Sequence, residues 1–254
     1  MSNPLLMKLE QYAPFSECER QRVIELTCRR RDTYAARQDI VKEGEHVETI
    51  HVVISGMAAR YKILPDGERQ IMAFLIPGDL CDLEVFVLER MDHGICAIPE
   101  TVCAVLPAAV IKHLLTEMSG LTRALWWSTM TDSAVLRERI VDHGRRDARA
   151  RIAHIFYELL IRYRVVGMAA GNQIPLPLTQ EELADAAGLT PVHVNRTLRQ
   201  LRDMGLVELR NRLLTVHDVL GLKRVAGFNP NYLHLRDADR QTGPAVPIIG
   251  KTAA

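Results

Sequence analysis

A chain of 254 residues, 48% hydrophobic and 25% charged, with five scattered cysteines and a formal net charge of +1, has the makeup of a soluble globular protein of one large or two ordinary domains. Cys18, Cys28, Cys81, Cys96 and Cys103 outline neither a disulfide framework nor a CxxC metal site, and no run of 18 apolar residues or basic-apolar leader is present, so a cytoplasmic protein with no membrane partner is expected. The charge is unevenly spread, with 12 basic against 17 acidic residues over 1–110 and 13 against 8 over 145–224, so the C-terminal part is the one suited to a polyanion.

Residues 4–12 and 16–29 read as two short helices, the second opened by a capping box of Ser16 and Glu19. From Asp39 the pattern changes to short β-branched runs punctuated by Gly44, Gly56, Gly67 and Gly78, and Pro65-Asp66-Gly67-Glu68 has hairpin-turn chemistry. A second strand group, ICAIPETVCAVLP, follows at 95–107, and residues 34–107 are therefore expected to form an antiparallel roll or barrel. Helix is expected beyond Pro107. Residues 119–143 give up to ~37 Å of it at 1.5 Å per residue. Leu121, Leu125, Leu136 and Ile140 fall near one stripe and Trp126, Trp127, Met130 and Val135 elsewhere, so that one face covers the roll and another pairs with a second copy; a single helix buried all round is the alternative. RRDARARIAHIFYELLIRYR is a further long helix, and VVGMAAGNQIPLP a looser connector.

The segment 178–209, LTQEELADAAGLTPVHVNRTLRQLRDMGLVEL, carries the functional signal. Thr179 caps a short helix from Gln180 to Ala187, Gly188 ends it, Leu189 fills the corner, and Thr190 caps a second helix with Pro191 in its first turn. Val194, Leu198 and Leu201 hold the second helix against the first, which is the helix-turn-helix pattern. Pro191, Val192 and His193 then stand at the exposed start, with Asn195, Arg196 and Arg199 on the outer side. Arginine pairs bidentately with guanine and asparagine with adenine in the major groove, whereas Thr179, Gln180 and Thr190 lie where helix starts meet phosphates. MGLVELRNRLLTVHD adds strand, turn and strand, a wing whose tip carries Arg210 and Arg212. The bland alternative is an ordinary helical corner with a solvated arginine face.

With these motifs the chain resembles the Crp/Fnr family of bacterial transcription regulators over residues 10–225. The resemblance rests on the glycine-punctuated EGEHVETIHVVISGMAARYKILPDGERQIMAFLIPGDLCD, on RIAHIFYEL, and on LTQEELADAAGLTPVHVNRTLRQL. It implies an α+β chain. Its parts are an N-terminal antiparallel β-roll of the cyclic-nucleotide-binding jelly-roll type with its leading helices (1–118), a long dimerisation helix (119–144) and a C-terminal winged helix-turn-helix (145–226); residues 227–254, with Pro, Gly and Thr concentrated at their end, are expected from composition to be a flexible tail. It further implies a homodimer on a palindromic double-stranded DNA operator with half-sites ~34 Å apart, and RNA polymerase as a partner if the protein activates. No GxSxG, Walker loop, HExxH or paired Cys/His metal spacing occurs in the sequence, so an enzyme is not expected.

Two departures stand out. Where cyclic-nucleotide members clamp the phosphate with Arg and Ser or Thr, this chain has Met91-Asp92-His93-Gly94-Ile95, and Gly78-Asp79-Leu80-Cys81-Asp82 opens the cassette. Without that guanidinium the main anion anchor is missing, so cyclic AMP is not expected to bind. Asp79, Cys81, Asp82 and His93 occupy the family's effector positions for a small molecule whose identity the sequence does not give. No cofactor or metal is expected: Cys18 and Cys28 lack the close neighbours of an iron–sulfur set, and isolated histidines such as His93 and His113 are more simply surface or capping groups than haem ligands. Cys81, read as a loop residue, is the one thiol marked for redox chemistry. Where the family's best-studied members open the recognition helix with Arg-Glu, Pro191 and Val192 stand here, and only Arg196 carries over; His193, Asn195 and Arg199 are the candidate replacements.

Overall fold

The computed structural model describes residues 3–235. Asn3 and Ser16 cap α1 (Pro4–Leu9) and α2 (Glu17–Arg29), and both halves of the Ser16–Glu19 capping box are made. Seven strands follow: β1 (Arg31–Tyr34), β2 (Asp39–Val41), β3 (Thr49–Ser55), β4 (Ala58–Ile63), β5 (Arg69–Leu75), β6 (Gly94–Ala97) and β7 (Thr101–Pro107). They form two antiparallel sheets, β1-β7-β3 and β2-β6-β4-β5, around a core that includes Val53, Leu75, Ile95 and Cys103. The strand group read at 95–107 is two strands in different sheets, because the chain turns at Pro99, which has no amide hydrogen to continue a ladder. At Gly56 the turn has φ +89°, and a Cβ there would sit 2.6 Å from the Glu100 carbonyl oxygen, so glycine is required.

The helices α3 (Ala108–Glu117), α4 (Ser119–Arg145) and α5 (Ala148–Val165) connect the roll to the C-terminal part. Leu121, Ala124, Leu125, Ala134 and Val135 of α4 are buried, whereas Trp126 (70% exposed), Met130 (44%), Leu136 (38%) and Ile140 (72%) stand outward. The two stripes therefore divide differently from the sequence reading: Leu136 and Ile140 belong with Trp126 and Met130, and Val135 belongs with Leu121 and Leu125. At 100° per residue, Ile140 and Met130 lie about 40° to either side of Trp126, while Val135 lies opposite it.

Beyond α5 come β8 (Gln173–Pro175), α6 (Gln180–Ala187), α7 (Pro191–Asp203), β9 (Val207–Arg210), β10 (Leu213–Val216) and α8 (Val219–Ala226). β8 lies in the stretch read as connector and forms the third strand of the wing sheet, order β8-β10-β9. Its burial alternates around Ile174 alone, too short a signal to mark a strand. Phe228, Leu233 and Leu235, in the segment expected to be a tail, are buried, since they cover apolar surface on α4 and α5 that α8 leaves open; residues 236–254 of that expected tail lie outside the described residues.

Charged side chains cross these boundaries. Lys8 of α1 and Arg162 of α5 both bind Asp79 of the roll, and Arg162 also meets Glu158 at 3.1 Å. Glu158 binds Arg139 of α4 at 3.0 Å; Arg139 binds Asp142 at 2.8 Å, and Arg146 joins Asp142 and Glu138. Arg60 of β4 reaches Asp132 of α4 at 3.1 Å while donating to the carbonyls of Leu80 and Cys81. Burial pushes the Asp79, Asp142 and Glu158 carboxyls up, but the adjacent cations and hydrogen bonds outweigh it: all three lie below their ordinary values, Asp142 at about 2.

Candidate nucleic-acid interface

The start of α6 is fixed by a capping box. Thr179 Oγ1 accepts from the Glu182 amide at 3.1 Å, and the Glu182 carboxylate accepts from the Thr179 amide at 2.7 Å. Gly188 ends the helix at φ +61°, and a Cβ there would press to 3.0 Å of His143 Nδ1. Leu189 is half-buried at the corner, and Thr190 Oγ1 caps α7 by accepting from the His193 amide at 3.3 Å. Val194, Thr197 and Leu201 form the fully buried side of α7; Leu198 is only half-buried, and Thr197 takes the inward place that the apolar pattern alone did not mark.

Because that side is locked inward, the opposite side faces solvent. Thr179, Gln180, Thr190, Pro191, Asn195, Arg196 and Arg199 are exposed, Val192 is 81% exposed, and His193 is half-buried. Asn195 Nδ2 donates to Gln180 Oε1 at 3.3 Å, tying the first residue of α6 to the outer face of α7. The wing turn is a two-residue hairpin in which Asn211 and Arg212 both have positive φ, 52° and 61°, and Arg210 and Arg212 project at its tip. Among the described residues, Arg196, Arg199, Arg202, Arg210 and Arg212 have no ion pair or side-chain hydrogen bond. Their guanidinium groups are thus free to meet an external anion.

Two grooves flank α7. One, of about 450 Å³, is lined by Thr179, Gln180, Asn195, Arg199 and Arg202 with Leu209 of the wing; the other, of about 390 Å³, by Asp147, Arg149, His193, Arg196 and Gln200. Arg202 and Arg149 lie beyond the residues singled out from sequence. Arg202 continues the arginine spacing of α7, a signal that was legible, whereas Arg149 belongs to α5 and reaches the groove only through the tertiary fold. Arg151 fixes the whole unit by donating to the carbonyls of Arg146, Ala187 and His143, which join the end of α4 to the corner between α6 and α7.

A family model described as the Crp-like helix-turn-helix domain matches residues 150–225, and one described as the cyclic nucleotide-binding domain matches residues 31–118. The chain belongs to the Crp/Fnr family. The nitrogen fixation regulation protein FixK of Azorhizobium caulinodans is 27% identical over 193 residues, covering 76% of this chain and 77% of that protein. The anaerobic regulatory protein of Haemophilus influenzae is 24% identical over 198 residues, 78% and 77% of the two chains. The solved structure of FixK2 from Bradyrhizobium japonicum is similar at a TM-score of 0.70 and 26% identity, covering 77% of this chain and 96% of that one. This chain is accordingly a Crp/Fnr-type DNA-binding transcription regulator.

In this Crp/Fnr regulator the four residues that the sequence offered as effector candidates are engaged inside the protein. Asp79 holds Lys8 and Arg162. Asp82 is fully enclosed, with one oxygen accepting from the His51 amide at 2.7 Å and the other 2.6 Å from His51 Nδ1. His93 is 7% exposed and bonds Asp92 through Nδ1 at 2.6 Å. Cys81 corrects the sequence reading. It lies in a loop as expected but is fully buried there, and its thiol is pushed well above the usual range by a hydrogen bond with Cys103 and by burial, so it lacks the accessible thiolate that redox reactivity needs.

Proposed function

We propose that this regulator binds a two-fold symmetric DNA operator as a homodimer, in the cytoplasm, with α7 in the major groove and the wing tip on flanking phosphates. The carrying observation is the rigidly capped α7 whose outer face presents Arg196 and Arg199 free of internal carboxylate partners. Base edges are read by Arg196, Arg199, Asn195 and His193, with Val192 and Pro191 against apolar base surface; Thr179, Gln180, Thr190, Arg210 and Arg212 serve the backbone. The exposed stripe of Trp126, Met130, Leu136 and Ile140 on α4 is the pairing face for the second copy. RNA polymerase is a partner where the protein activates.

Arg196→Ala is expected to weaken binding to selected operator DNA by ~1–3 kcal/mol and to flatten sequence preference at one half-site position. Unchanged affinity for both operator and random duplexes would remove Arg196 from the reading. Affinity should also fall steeply with salt as phosphate counterions are released.

The signal received by the roll is proposed to be something other than cyclic AMP. Asp92 and His93 stand where an Arg-Ser pair would hold a phosphate, and both are already bonded to each other. Micromolar cyclic AMP binding by calorimetry would overturn this.

A further inference from the structure

We propose that the segment after α8, from Phe228 to Leu235, is a positioning strap that sets the angle between α4 and α5 and thereby the separation of the two recognition helices in the dimer. The helix-turn-helix model ends at residue 225, so the strap lies outside the part of the chain that the family match covers. It leaves α8 in the DNA-binding domain yet packs on α4 and α5. The Phe228 ring stands 4.6 Å from that of Tyr157 and 5.1 Å from that of His154, and Tyr232 stacks on His154 at 5.9 Å. The Tyr232 hydroxyl donates to Glu158 Oε2 at 2.8 Å. His234 meets the Trp127 ring of α4 edge-on at 5.4 Å.

Leu233 and Leu235 close the far end, 2% and 4% exposed, over a cavity of about 30 Å³ shared with Lys8, Asp79, Asp132 and Arg162. That volume suits a single water. Glu158 is the point of convergence, for it accepts from Arg139 of α4, Arg162 of α5 and the strap at once. A rotation of α5 about the junction near Arg146 would have to break the Arg139–Glu158 pair and the His234–Trp127 ring contact, or else peel Phe228 and Tyr232 off His154 and Tyr157. The DNA-binding domain is carried on α5, so whatever fixes the angle between α4 and α5 fixes where α7 stands relative to the pairing face of α4.

This inference rests on the reading of α7 as the DNA-recognition helix and of α4 as the dimer helix. The test uses the full chain and a set of duplexes carrying the selected half-sites at the selected spacing and at a spacing two base pairs longer, roughly 7 Å of helix axis. The readout is the affinity ratio between the two spacings, with binding to a single half-site as control. Leu233→Asp expels the apolar end of the strap, and Tyr232→Phe removes only the hydroxyl. The expected result is a ratio lowered about five-fold or more in Leu233→Asp, an intermediate ratio in Tyr232→Phe, and half-site binding unchanged in both. A strap that merely stabilises the fold would leave the ratio where it was. An unchanged ratio in folded Leu233→Asp overturns the proposal; should that variant not fold, an unchanged ratio in both Tyr232→Phe and Phe228→Leu overturns it. A wild-type chain that shows no DNA preference at all refutes the DNA reading itself, and this inference falls with it.

Discussion

Glu158→Gln keeps the shape of a buried side chain and removes its charge. The carboxylate is fully enclosed and contacts Arg139 Nη2 at 3.0 Å, Arg162 Nη1 at 3.1 Å and the Tyr232 hydroxyl at 2.8 Å. Removing one partner of a buried ion pair costs about 3–5 kcal/mol, because the cation left behind has already lost its water. Here each arginine retains another carboxylate, Asp142 for Arg139 and Asp79 for Arg162, so the lower end, ~3 kcal/mol at neutral pH, is expected. Urea unfolding followed by circular dichroism and by tryptophan fluorescence measures it, and an m value of about 1–3 kcal/mol per molar urea turns the loss into a midpoint shift of roughly 1–3 M. The pH dependence has a definite sign. Burial pushes the Glu158 carboxyl up, and Arg139 and Arg162 more than reverse this, holding it below 4.5. Its contribution is therefore complete above the unfolded value and is lost as pH falls through the lower native one. Glutamine does not titrate, so the gap between wild type and variant should narrow on acidification below roughly pH 4.5. A loss under about 1 kcal/mol at neutral pH, the scale of exposed ion pairs, or a gap that acid leaves unchanged, would refute the account of this network.

Ile140→Asp places a charge in the exposed α4 stripe, where Ile140 is 72% exposed; sedimentation should move from dimer toward monomer, and an intact dimer would place the pairing face elsewhere. Cys18 and Cys28 are exposed whereas Cys81, Cys96 and Cys103 are buried, so native-state alkylation followed by peptide mass analysis should label the first two and reach the other three only on unfolding. Early labelling of Cys81 would contradict its enclosed position.

The DNA-binding end was legible because its signals are local. A capping threonine, a glycine that must adopt positive φ, a second cap followed by proline and a 3.6-residue apolar period all lie within 32 residues, and each has its own physical meaning regardless of the rest of the chain. The glycine rhythm marked the roll for the same reason. The charges were not legible in this way. Lys8, Asp79, Arg139, Glu158 and Arg162 are spread over more than half the chain, and nothing in their immediate neighbours distinguishes them from solvated surface groups. Only the packing of α1, α4 and α5 onto the roll brings them together. The burial of Cys81 was hidden by the same limit, since the Gly78–Asp82 stretch is the loop its composition suggests yet is held against β3 by hydrogen bonds from the Gly78 and Cys81 amides to the Val53 and His51 carbonyls. Tyr232 and Phe228 stood in a polar, proline-bearing segment whose apolar residues have no period, so composition alone read as tail.

Buried ion pairs are a poor choice if stability is the only requirement, because well-packed apolar residues of similar volume often do as well or better. What they supply is direction: an arginine fork satisfied by a carboxylate tolerates little rotation, whereas an apolar contact slides. At the junction of α4 and α5 this distinction bears on function, since a small change of angle there is amplified at α7. Arg139→Met combined with Glu158→Leu separates the two roles. Asp142 keeps Arg146 at 2.7 Å and Arg162 keeps Asp79, so no carboxylate or guanidinium is left without a partner by the double change, and the group that loses its acceptor is the neutral Tyr232 hydroxyl. The double variant should unfold within about 1–2 kcal/mol of wild type, much closer than Glu158→Gln alone, and yet show a weaker preference for one operator spacing. If it preserved the spacing preference, the ion pairs would not be what directs the angle, and that task would fall to the aromatic packing of Phe228 and Tyr232 alone.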